Sequence, residues 1–192
     1  KFTKKNYIKN LIFTKQLIDY VCEKNKIKFI LASSSSIYNK SKIKIKENSK
    51  TKVSSFYSKF RLEATNYLLK RKKIHRLNAS VIILFNHDSI YRGSRFLLPR
   101  LISLIKKRNY SEIKKIYKDN INGDFSHAED ICNAIYLLIK LDKNPDKIIF
   151  CSGKRSYIND IIKYFLPDIV NRIIMVKTYK NKSIIGSNTK DK

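Results

Sequence analysis

Residues 79–86 read Ala79-Ser80-Val81-Ile82-Ile83-Leu84-Phe85-Asn86. The run is almost unbroken in apolar character, so no alternation leaves one face for water. That is the pattern of a short strand covered on both faces, the environment of a parallel sheet with helices above and below. Working outward, residues 28–33 (KFILAS) and 147–151 (KIIFC) repeat it as two further buried strands. The segments between carry apolar residues at helical spacing: Ile8, Leu11, Ile12, Leu17, Ile18 and Val21 in residues 8–23, and Leu62, Ala64, Tyr67, Leu68 and Leu69 in residues 55–72. Further helices are predicted at 96–107, 127–141 and 158–165, with a short strand at 113–117. Residues 34–52, 87–94 and 120–126 read as loops. Strands separated by helices predict an α/β fold on a parallel sheet. No repeat and no Gly/Pro-rich linker divides residues 1–192, which read as a single unit.

Composition narrows the function classes. A chain of 192 residues that is 43% hydrophobic has the material for a real core and is not a disordered composition. No run of about eighteen apolar residues occurs, which argues against a membrane-spanning helix. The first ten residues lack an apolar signal core, so a cytoplasmic location is expected. The net charge of +27 has two readings: a polyanion partner such as nucleic acid, or compositional drift toward lysine. The charge is spread along the chain, and Lys greatly outnumbers Arg, the residue suited to bidentate phosphate and base contacts. Both facts favour drift over a nucleic-acid partner. Cys22, Cys132 and Cys151 stand far apart without CxxC spacing, so they read as buried reduced thiols, with neither a metal site nor a disulfide framework.

An open α/β nucleotide-binding sheet begins strand, glycine-rich turn, helix. Only four glycines occur here and none forms GxGxxG, so either the chain does not bind a dinucleotide or that half of the sheet lies upstream of residues 1–192. What is present matches a known pattern in order. Residues 10–18 (NLIFTKQLI) are similar to a helix written N-x-x-G-T-x-x-L-L. Residues 32–39 (ASSSSIYN) are similar to a strand end written A-S-T-S-E-M-F-G. Ser58, Lys59 and Glu63 match Y-x-x-S-K-x-x-x-E without its Tyr. Residues 84–93 (LFNHDSIYRG) are similar to L-F-N-H-E-S-P-R-R-G, residues 124–130 (DFSHAED) to D-W-G-H-A-K-D, and Ser152-Gly153 to a T-G after the last strand. On these blocks the chain resembles the extended short-chain dehydrogenase/reductases, closest to the GDP-mannose 4,6-dehydratases. The resemblance implies an incomplete Rossmann-like parallel sheet, the C-terminal part of the family's domain, with a small substrate-binding portion and the cofactor-binding N-terminal half absent.

The resemblance also implies a chemistry: oxidation of a GDP-sugar at C4 by NAD or NADP, loss of water, and re-reduction. A Tyr takes the hydroxyl proton, a Lys one turn later lowers that Tyr's pKa and holds the cofactor ribose, a Ser/Thr bonds the same oxygen, and a Glu removes the C5 proton. Ser34 stands at the Ser/Thr position and Lys59 at the Lys position. A turn serine and an ordinary helix lysine are the alternatives. The Tyr position is Ser55, the Glu position Ser36, and the phosphate-gripping Arg position Gly123. Tyr57 lies two residues before Lys59, roughly 200° around a helix, and is no simple substitute. Asn86 and Arg92 stand at substrate-contacting positions, and Lys59, Asn86 and His87 at cofactor-contacting ones. His127 and Asp130 open a helix and read as capping and first-turn residues. The resemblance implies impaired turnover, a homodimer through a four-helix contact that includes the Lys59 helix, and no resident metal. A non-catalytic relative that binds a nucleotide sugar or pairs with an active subunit is the alternative.

Overall fold

A computed structural model of the chain describes residues 2–24, 27–39 and 44–168. Its centre is a three-stranded parallel sheet of β1 (Phe29–Ser34), β2 (Ala79–Leu84) and β6 (Lys147–Phe150), with β2 in the middle. The run that predicted a doubly covered strand is β2. Ala79, Val81 and Ile83 point to one face, where Ile18 and Cys22 of α1 (Lys4–Glu23) and Leu68 of α2 (Phe56–His75) close the main core. Ile82 points to the other face, against Ile131 and Leu138 of α5 (Ala128–Lys140).

A second core lies outside the sheet. Leu101 of α3 (Leu97–Lys106), Ile113 and Ile116 of α4 (Tyr110–Lys118), and Ile158 and Ile162 of α6 (Ile158–Phe165) pack together. This is the small portion beside the sheet that the sequence implied. Two strand pairs connect the two cores. β3 (Asn86–Asp88) runs parallel to β5 (Phe125–His127), and β4 (Asn122–Gly123) pairs antiparallel with β7 (Ser156–Tyr157).

Four expectations change. Residues 113–117 are not a strand but part of α4: Ile113, Ile116 and Tyr117 are spaced three and four apart, and Asn109 caps the helix by accepting from the Glu112 N–H at 3.3 Å. α1 begins at Lys4 rather than residue 8, because Thr3 and Asn6 form a reciprocal capping box, which is worth about 1 kcal/mol. The loops at 87–94 and 120–126 contain β3, β4 and β5. Cys132 is exposed, whereas Cys22 and Cys151 are buried as expected.

β1 reads as a fully buried strand in sequence but is an edge strand among the described residues, with five of its six positions only partly buried. Phe29 N–H donates to Asn78 O, so Phe29, Leu31 and Ser33 direct their peptide groups at β2, and those of Ile30, Ala32 and Ser34 face outward. The Arg61 guanidinium covers one outward group, donating to Ala32 O at 2.7 Å. Beside this edge, Ile30, Ala32, Ile82, Ile135 and Ile139 line an open apolar trough of about 410 Å3.

Candidate active site

In open α/β sheets the carboxyl ends of the strands open onto the ligand crevice. At that end of β1 and β2 lies a cleft of about 400 Å3. Its walls come from three places: Ser34, Ser35 and Ser36 after β1; Asn86, His87, Asp88, Arg92, Phe96, Leu97 and Leu98 after β2; and Ile121, Asn122, Gly123 and Phe125. The parallel register of β3 with β5 sets Asn86 opposite Phe125, His87 opposite Ser126 and Asp88 opposite His127. Two sequence blocks almost forty residues apart are thereby joined along one backbone ladder.

The serine run turns tightly. Ser34 ends β1 and its Oγ accepts from the Ser36 N–H at 3.2 Å, opening a single 3-10 turn at Ser35–Ile37. Ser36 Oγ is buried without a hydrogen-bond partner, an unsatisfied group on the cleft wall. Tyr38 leaves the cleft: it is buried and its hydroxyl donates to Glu47 O at 3.1 Å. Burial first, and Glu47 second, push its pKa up to about 12.

The second wall is ordered by backbone contacts. Asn86 Nδ2 donates to Asp124 O at 3.1 Å, and His87 Nδ1 lies 2.9 Å from Phe85 O. Arg92 is already engaged: it donates to His87 O, sits 3.9 Å from the Asp88 carboxylate and stacks 3.8 Å above the Phe96 ring. Gly123 explains its own lack of a side chain, since a Cβ there would lie 3.1 Å from Asn86 Nδ2 and 3.4 Å from the Phe125 ring. Asn122, beside it, keeps a buried Oδ1 with no partner while its Nδ2 donates to Asn120 O at 3.3 Å.

Ser34, Ser36, Asn86, His87 and Arg92 therefore meet in one cleft, and Ser55 and Lys59 do not line it. Ser55 is the N-cap of α2. Its Oγ accepts from the Ser58 N–H at 3.1 Å, and Ser58 Oγ in return accepts from the Ser55 N–H at 3.0 Å. The Lys59 ammonium lies 5.2 Å over the Tyr7 ring and 3.9 Å from Glu63, whose other oxygen accepts from the Tyr7 hydroxyl at 2.8 Å. That hydrogen bond, with some desolvation, raises the Tyr7 pKa. Half-exposed on the flank of α2, the lysine rests against Tyr7 of α1.

Two contributors had escaped attention in the sequence. Asp124, fully buried, accepts from Ser152 N–H, Ser152 Oγ–H and Gly153 N–H, each at 2.8 Å. It ties the end of β6 to the cleft wall. Its only sequence signal was an acid between two loop segments within a matching block. Asn122 carried no signal at all. His127 is the N-cap of α5, accepting from Glu129 N–H at 3.3 Å, with Asp130 in the first turn. No group of three or more His, Cys, Asp and Glu that could hold a metal occurs among the described residues. No described helix is long and apolar enough to cross a membrane.

A nicotinamide cofactor would meet only part of what it needs. Ser34 and His87 line the crevice at the strand ends, where its reactive ring belongs in this type of sheet. Lys59 is turned toward Tyr7, and the four glycines of the sequence supply no phosphate-binding turn. Of the three residues that the resemblance sets against a cofactor, Asn86 and His87 line the cleft and Lys59 does not.

The family model for GDP-mannose 4,6 dehydratase matches residues 6–192. The GDP-mannose 4,6 dehydratase of Cricetulus griseus is 26% identical over 165 residues, covering 84% of this chain and 44% of that protein. The chain thus spans less than half the length of that relative. Among solved structures, the dTDP-glucose 4,6-dehydratase of Bacillus anthracis in complex with NAD superposes with a TM-score of 0.78 at 16% identity, over 96% of this chain and 60% of that one. RMD from Pseudomonas aeruginosa complexed with NADPH gives 0.70 at 18% identity, over 94% and 64%. These structures share the Rossmann-like fold of the extended short-chain dehydrogenase/reductases. With almost its whole length matched, this chain belongs to the GDP-mannose 4,6-dehydratase family.

Proposed function

We propose that the cleft at the ends of β1 and β2 is a nucleotide-sugar site, that its natural ligand is a GDP-sugar, and that the chain carries the substrate side of an NAD- or NADP-dependent 4,6-dehydratase with little turnover of its own. The observation that carries this reading is the lining of the cleft, in which Asn86, His87 and Arg92 of the segment after β2 meet Ser34 at the end of β1, while the β3–β5 ladder joins that segment to Phe125. Family membership supplies the substrate class. The low turnover follows from the side chains. Ser36 brings no carboxylate for a C5 proton, Ser55 is spent on a helix cap, and Lys59 is held by Tyr7 and Glu63. A non-catalytic partner role is the second reading, favoured by the same placement of Lys59.

The cofactor-binding half is proposed to join at the outer edge of β1. The apolar trough over Ile30 and Ala32 and the outward peptide groups of that strand support this, being the kind of surface a further strand and helix bury. A homodimer through α1 and α2 is proposed from the exposed Ile8, Ile12, Phe13, Leu17 and Tyr20 along α1 and from Phe56 on α2. A cytoplasmic setting suits three cysteines that form no disulfide.

The test is direct. The full chain is incubated with GDP-mannose and NADP, binding is followed calorimetrically, and mass spectrometry looks for loss of one water from the sugar nucleotide. Binding with little or no dehydration is expected. Rapid dehydration would overturn the low-turnover reading, and absence of binding would overturn the GDP-sugar assignment.

A further inference from the structure

The cleft has lost the side chains that its family uses to move protons, yet one titratable group still faces it with a free lone pair. Three residues on the cleft wall can ionise: His87, Asp88 and Arg92. Asp88 and Arg92 are committed to each other and to the backbone. Asp88 Oδ1 accepts from Ser89 N–H at 3.0 Å and lies 3.9 Å from Arg92 Nε, while Arg92 also donates to His87 O. His87 differs. Its Nδ1 is 2.9 Å from Phe85 O. A carbonyl oxygen can only accept, so in the neutral ring Nδ1 carries the hydrogen and Nε2 keeps its lone pair. Backbone pairing of His87 with Ser126 holds the residue in the crevice wall, and the contact with Phe85 O engages Nδ1, which leaves Nε2 as the ring nitrogen available to a ligand.

We propose that His87 Nε2 is the proton acceptor of this cleft, taking the hydrogen of a ring hydroxyl on the sugar of a bound nucleotide sugar. This inference rests on the GDP-sugar reading above. In the ground state the contact is a hydrogen bond from the sugar hydroxyl to Nε2. In an oxidation, the O–H bond breaks as N–H forms, giving an imidazolium. The electron pair left on oxygen would close the carbonyl, with the carbon's hydride taken by an oxidised nicotinamide where one is bound. On re-reduction the same proton returns.

The chain has three histidines, His75, His87 and His127, so each ring can be resolved in long-range proton–nitrogen spectra of the 15N-labelled full chain. The expected result is the Nδ1–H form for His87, with the Nε2 resonance moving when GDP-mannose is added and staying put with GDP alone. The variant His87→Asn keeps an amide donor for Phe85 O and removes Nε2. It should weaken GDP-mannose about tenfold, the scale of one hydrogen bond, and leave GDP affinity unchanged. A merely structural histidine would lower both affinities together. The inference is overturned by an Nε2–H tautomer, by an equal response to GDP, or by GDP-mannose binding that ignores the substitution. If the parent chain binds GDP but not GDP-mannose, the sugar reading itself fails, and this assignment fails with it.

Discussion

Asp124 is the residue whose loss should cost this fold most per atom changed. Its carboxylate is fully buried and accepts three hydrogen bonds at 2.8 Å from Ser152 and Gly153, while its own carbonyl accepts from Asn86. Hydrogen bonds to a charged partner contribute roughly 1.5–3 kcal/mol each, and a buried donor left without a partner costs about 1–3 kcal/mol. Asp124→Asn keeps one oxygen for Ser152 but turns an NH2 group against the Gly153 N–H. One bond is lost, a donor is orphaned, and the remaining bonds fall from charged to neutral. The sum is about 2–4 kcal/mol. Ser152→Ala removes a single hydroxyl bond and should cost about 1.5 kcal/mol. Urea unfolding followed by circular dichroism reads both as a lowered midpoint at unchanged slope. Asp124→Asn should also loosen Asn86 and so weaken binding in the cleft, which Ser152→Ala should do less. If Asp124→Asn falls within about 0.5 kcal/mol of the parent, or costs no more than Ser152→Ala, the carboxylate is not the tie between the β6 loop and the cleft wall.

A thiol reagent at pH 8 should modify Cys132 quickly and leave Cys22 and Cys151 intact until the chain unfolds, because only Cys132 is exposed and burial with the nearby Asp124 pushes the Cys151 thiol up to about 12. Both Cys151 and Tyr38 have folded pKa values above their ordinary 9.0 and 10.0, so the unfolded chain gives up its protons first. Stability should be flat up to about pH 9 and then fall toward pH 12 by at most about 1.4 kcal/mol per pH unit and group, a slope that Cys151→Ala and Tyr38→Phe should flatten in chemical-denaturation titrations. Gly123→Arg, which reinstates the family's phosphate-gripping residue, should destabilise by about 1–3 kcal/mol in thermal melts, since its Cβ would arrive 3.1 Å from Asn86 Nδ2. Ser55→Tyr should lower stability by about 0.5–2 kcal/mol through loss of the α2 cap, and alone should restore no turnover in the mass-spectrometric assay.

The sheet was legible because β2 is covered on both faces and so had to be apolar at nearly every position. The cleft was half legible. The blocks around residues 86 and 124 could be recognised separately, but their pairing as β3 and β5 is a long-range register that no local period reports. Lys59 shows the limit. Its helix and its face were evident, but the neighbour on that face is Tyr7 of α1, fifty-two residues earlier, and only tertiary packing brings them together. Asp124 stayed hidden for the same reason, its partners lying 28 and 29 residues downstream. The strand expected at 113–117 failed differently: five residues hold too little of any period, and the cap at Asn109 decides for a helix. β1 has the composition of a central strand and the neighbours of an edge strand, and composition carries no information about neighbours.

The departures from the family pattern are not vacancies. Ser55 closes a reciprocal cap with Ser58, Gly123 makes room for Asn86 and Phe125, and Lys59 is bound to the tyrosine and glutamate of its own helix pair. Each replacement has acquired a local structural task, so reversing any one of them opposes interactions that now stabilise the fold. Backbone ladders respond differently to drift. The β3–β5 register depends on peptide groups that every residue carries, and it holds Asn86 and His87 beside Phe125 and Ser126 at the crevice. On the function proposed above, side-chain chemistry has dispersed while the backbone scaffold of the cleft persists. What such a cleft can still do then depends on groups whose orientation the backbone itself fixes, and His87, held through Phe85 O, is one that keeps a second ring nitrogen over.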